Sequence, residues 1–87
     1  MDISWDKTTE EKFCQMIDKI PIFLRDIAKD KIFQKAESIA RKENRSQVIE
    51  KDMVDAFFAK TPFGFHGPMK TDMTALGIEY TQYGYQK

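Results

Sequence analysis

Cysteine, histidine and tryptophan each occur once in this 87-residue chain, as Cys14, His66 and Trp5. A single cysteine excludes an internal disulfide framework and any multi-cysteine metal or iron–sulfur site built from this chain alone. A single histidine far from it in sequence leaves no ligand set for zinc, so no metal site is predicted. No apolar run approaches the roughly 18 residues that read as a membrane span. The opening MDISWDKTTEEK is polar and acidic from its second residue, unlike a secretory leader. The expectation is a soluble, cytoplasmic chain with no membrane partner. An excess of either charge is missing too: 14 acidic residues balance 14 basic ones. No overall field draws the chain to nucleic acid.

Glycine-rich phosphate loops are also absent. The stretch FGFHGP has neither the spacing nor the flanking strand and lysine of a nucleotide-binding turn. The carboxylate pairs Glu10–Glu11 and Asp52–Asp55 fall at predicted helix starts, where the helix dipole accounts for them. Cys14 lies beside Phe13 and near Met16 and Ile17, so it is expected to pack as a small hydrophobe. His66 is expected as an exposed or loosely packed loop residue. These exclusions leave no catalytic residue and no cofactor to assign.

What is present is helical spacing. Thr8 and Glu11 have the separation of a capping box, and Phe13, Met16, Ile17 and Ile20 follow on one face, predicting a helix over about 9–18. Trp5 precedes it as a packing anchor. Pro21 suits the first position of a new helix. Ile22, Phe23, Leu24, Ile27, Ile32, Ala36, Ile39 and Ala40 then recur at intervals of three and four, predicting a long helix to about Glu43. Asn44 is a plausible stop because asparagine tolerates the left-handed conformation. Gln47–Ile49 reads as one extended bridge. Met53, Val54, Phe57 and Phe58 define a third helix ending near Lys60. The fold class is all-α: a compact three-helix unit over residues 1–60.

Residues 61–87 break the pattern. They hold all four glycines, two of the three prolines and the aromatic residues Phe63, Phe65, Tyr80, Tyr83 and Tyr85. Gly and Pro at this density predict an irregular, partly disordered tail with one short helix over 69–76 at most.

Arg25 is the charge that composition does not explain, because a cation in the first turn of a helix opposes its dipole. A carboxylate partner is expected, from Asp18, Asp26, Asp52 or Asp55. Lys29, Lys31, Lys35, Arg41 and Lys42 alternate with acids on the long helix and read as a solvated face with weak ion pairs.

Trp5, IPIFLR at Ile20 to Arg25, AESIAR at Ala36 to Arg41 and VIEKDMVDA at Val48 to Ala56 together resemble the small C-terminal domain of the B subunit of light-independent protochlorophyllide reductase. The resemblance covers roughly residues 3–60, with the family's usual glycine near the end of the long helix replaced around Asn44. It implies an all-helical accessory domain of a nitrogenase-like oxidoreductase of tetrapyrrole reduction, in chlorophyll biosynthesis and photosynthesis. In that reading Pro21 starts the long helix, Ile22, Phe23 and Leu24 form a hydrophobic hinge against the first and third helices, and Arg25 fixes the corner.

The leading functional expectation is a non-catalytic interaction domain, monomer or weak dimer, that docks on a larger redox or nitrogenase-like subunit. Arg25, Phe63, Phe65, His66, Tyr80 and Tyr83 are the candidate contacts. The alternatives are direct binding of a tetrapyrrole-like ligand by the Phe63, Phe65 and His66 loop, and nucleic-acid binding by a histone-like helix–strand–helix, which the balanced charge weakens.

Overall fold

Asp6, not Thr8, opens the first helix. In the computed structural model, which describes residues 3–87, its carboxylate accepts from the Thr9 backbone N–H at 3.1 Å and from the Thr9 hydroxyl at 3.0 Å. That satisfies a free donor of the first turn with a side chain of the preferred length, so the expected Thr8–Glu11 box does not form the cap. Helix α1 then spans Lys7–Asp18 and buries Phe13, Met16 and Ile17. Cys14, one position round from that face, is exposed, correcting the expectation of a packed thiol.

Helix α2 spans Ile22–Lys42, with Pro21 as its N-cap one residue outside the helix. Its buried stripe is Ile32, Ala36 and Ala40, spaced by four; the two alanines let the facing helix approach closely. The helix ends in a Schellman turn. Asn44 takes φ 59°, its N–H donates to the Arg41 carbonyl, and the Arg45 N–H donates to that of Ala40. Only glycine or a short polar residue adopts this conformation readily, and asparagine meets that need here.

Past this turn, strand β2 (Gln47–Val48) pairs in parallel with β1 (Ser4–Trp5). The extended link was legible in the sequence; its partner, two residues before α1, was not. The pairing places Trp5 over the core. Its ring stacks on Phe33 at 5.1 Å and meets Phe13 at 4.9 Å, while its indole N–H donates to Glu37 at 3.1 Å.

Helix α3 (Glu50–Lys60) buries Met53, Val54, Ala56 and Phe57 against α2. Asp52 in its first turn is 0% exposed. One carboxylate oxygen accepts from the Ile49 N–H at 3.0 Å and the other takes the Arg45 guanidinium.

The segment after Lys60 is more regular than its glycines and prolines suggest. A 3₁₀ turn at Phe63–Phe65 leads into helix α4 (His66–Ala75), and a second 3₁₀ turn covers Tyr80–Tyr83. Met69, Met73, Ile78 and Tyr80 complete the same core as the first three helices. Glycine serves this order at Gly77, whose φ of 76° allows a second Schellman turn, with the Ile78 N–H donating to Met73 at 2.8 Å.

Removing one member of a buried ion pair strands the other charge, at a cost of about 3 kcal/mol. Arg45→Ala is therefore expected to lower the urea-unfolding free energy by about that amount. A loss below about 0.5 kcal/mol, the range of ordinary surface substitutions, would show that the pair does not hold α3 in place.

Candidate functional site

The first two turns of α2 project their apolar side chains into solvent. Ile22 and Phe23 are each 78% exposed, Ile27 is 60% exposed and Leu24 47%. The expected hinge of Ile22, Phe23 and Leu24 against α1 and α3 is thus not formed. The reason is geometric: the buried stripe of α2 begins only at Ile32, and the turns before it extend past the packed body.

Arg25 explains how this arm is held. Its Nε and Nη2 donate to the Ile20 carbonyl at 3.3 and 3.1 Å, and Nη2 also donates to the Asp18 carbonyl at 2.9 Å. The partner is the carbonyl end of α1 and not a carboxylate. A guanidinium there meets the negative end of the α1 dipole, which offsets its adverse place at the start of α2.

The other candidate contacts separate into two groups. Phe63 and Phe65 are exposed in the first 3₁₀ turn. His66, Tyr80 and Tyr83 serve the fold. The His66 Nε2 lies 2.9 Å from the Thr61 carbonyl, and its ring meets the edge of Phe58. Tyr80 is buried. Among the described residues, no group of three His, Cys, Asp or Glu side chains is placed to hold a metal ion.

Two tyrosines fasten the closing segment to α3. The Tyr83 hydroxyl donates to Glu50 at 3.0 Å and the Tyr85 hydroxyl to Asp55 at 2.6 Å, and the Tyr85 ring stacks on Phe58 at 3.9 Å. Lys12 and Lys51 pair with the same two acids. Burial, then the hydrogen bond and charge of the facing carboxylate, pushes both phenols up to about 12.

An open cleft of about 450 Å³ lies between α2 and the end of α3, lined by Lys31, Gln34, Lys35, Ser38, Ala59 and Lys60. None of these lysines has a carboxylate within 4.0 Å among the described residues. The sequence reading of α2 as a face of weak ion pairs holds for Glu37–Arg41, at 3.5 Å, and not here. The cleft was missed because Lys60 comes from another helix.

A phenol pKa raised above its unfolded value near 10 contributes stability that is complete below about pH 10 and is lost as pH rises toward 12. The chain is expected to lose thermal stability across that window, with phenolate absorbance appearing late. The Tyr83→Phe/Tyr85→Phe variant should lose that late component; an unchanged titration curve would contradict the two tyrosine–carboxylate bonds.

No curated protein and no solved structure matches the chain. A family model described as a protein of unknown function, DUF2621, matches residues 2–86. The match spans the four helices and two short strands of the described residues, and the chain belongs to the DUF2621 family.

Proposed function

We propose that this domain is a non-catalytic docking module that binds a larger redox subunit through the amino-terminal arm of α2. The observation that carries the reading is the exposure of Ile22, Phe23, Leu24 and Ile27 together on one rigid helix end. Fully burying a side chain of this size contributes roughly 1.5–3 kcal/mol, most of which Ile22 and Phe23 forgo by facing water and part of which Leu24 and Ile27 forgo. Grouped apolar exposure of this kind marks interaction surfaces, and a helix presenting residues at spacings of three and four suits a groove or a second helix. Exposed Phe63 and Phe65 offer a second apolar contact.

The class of partner rests on the resemblance of the Trp5, IPIFLR and VIEKDMVDA elements to the accessory domain of a nitrogenase-like reductase. The arm includes Ile22 to Arg25 of the IPIFLR element. Direct ligand binding by the 63–66 loop is less well supported, because His66 and Arg25 are both engaged within the fold.

The test is co-purification of the tagged chain from its native cells at low ionic strength, compared with Phe23→Glu/Ile27→Glu. Both positions are exposed and glutamate is a good helix former, so unfolding stability should change by no more than about 0.5 kcal/mol. The wild-type chain is expected to retain a redox subunit and the variant to lose it at least tenfold. No retained protein, or equal retention by both chains, would contradict docking through the arm.

A further inference from the structure

We infer that the partner presents an acidic amphipathic helix, its apolar residues on Phe23 and Ile27 and its carboxylates over the Lys31–Lys35–Lys60 cleft. This rests on the docking function proposed above and names the chemistry of what docks.

Phe23, Ile27, Lys31 and Lys35 are each four residues apart on one helix, so they form a single ridge along its surface. The ridge changes character midway, from two exposed apolar side chains to two lysines. Across the cleft, α3 contributes Lys60. Gln34 and Ser38 complete its polar lining, and no carboxylate lines it. A cleft lined by one sign of charge concentrates its field and draws a counter-charge.

Lys12, Lys51, Arg41 and Arg45 have acidic partners; Lys31, Lys35 and Lys60 have none within 4.0 Å among the described residues and line one cleft together. The α3 dipole accounts for Lys60, which lies in the last turn, but it gives no reason for Lys31 and Lys35 in the middle of α2. Asp30, one turn before Gln34, accepts from it at 3.3 Å and makes no ion pair with Lys31 or Lys35.

The ridge from Phe23 to Lys35 is roughly 18 Å long at the helical rise, which matches three to four turns of a partner helix. A free phosphate has no use for the apolar half. A helix with two apolar anchors at one end and Asp or Glu at the other meets both halves, and carboxylate–ammonium contacts fix its direction.

The test is zero-length carbodiimide coupling of the retained complex, with mass spectrometry of the joined peptides and co-purification by Lys31→Glu/Lys35→Glu/Lys60→Glu and by the corresponding glutamine variant. Expected are amide links from these lysines to Asp or Glu of the partner. Retention should fall at least tenfold on charge reversal, less on neutralisation, and also with added salt. Equal retention by the charge-reversed chain, with loss in Phe23→Glu/Ile27→Glu, would overturn the acidic-partner inference and leave arm docking standing. Retention unaffected by either set would remove the docking function itself. Links only to a second copy of this chain, or flotation with phosphatidylserine vesicles with no protein retained, would also overturn the inference.

Discussion

Asp52 carries a carboxylate into the interior at the start of α3, and Arg45 meets it from the turn after α2. A buried charge without a partner is costly, so both residues must arrive together. Arg45 can do so because the Schellman turn at Asn44 aims the chain back along α2. The Ile49 N–H holds the second oxygen, and the link between them is the strand that pairs with β1. One ion pair thereby fixes the direction of α3, the register of the strand pair and the place of Trp5 over Phe13 and Phe33.

The consequences reach the surface. With α3 set against the carboxy-terminal half of α2, the core takes Ile32, Ala36 and Ala40 and leaves the first turns uncovered. Arg25 braces that uncovered end against the last carbonyls of α1. The same antiparallel return brings Lys60 beside Lys31 and Lys35. Core clamp, apolar arm and basic cleft are thus linked by the path of one helix. The closing segment strengthens the unit from the other side, with Tyr83 and Tyr85 on two acids of α3.

Much of this was legible in the sequence, for physical reasons. The first three helices follow from apolar spacing, and the left-handed stop at Asn44 from its side chain. What the pattern could not supply is which end of an apolar stripe is covered. Ile22, Phe23 and Leu24 look like core at the level of residue type, and only the crossing of α2 and α3 shows that nothing covers them. Arg25 was recognised as anomalous, but carbonyl acceptors carry no sequence signal, so a carboxylate was expected. Arg45 left a trace that went unread, a basic residue seven before an acid across a turn. In residues 61–87 glycine and proline masked the regularity, since Gly77 terminates a helix instead of preventing one. The apolar spacing of Met69 and Met73 was the available clue.

Hydroxyl-radical footprinting of the isolated chain tests the central claim, that α2 is core at one end and an uncovered apolar arm at the other. The account predicts rapid oxidation of Phe23 and Ile27, comparable with exposed Phe63 and Phe65, and protection of Ile32, Met53, Phe57 and Met73. Protection of Phe23 and Ile27 in the isolated chain, equal to that of Phe57, would contradict it.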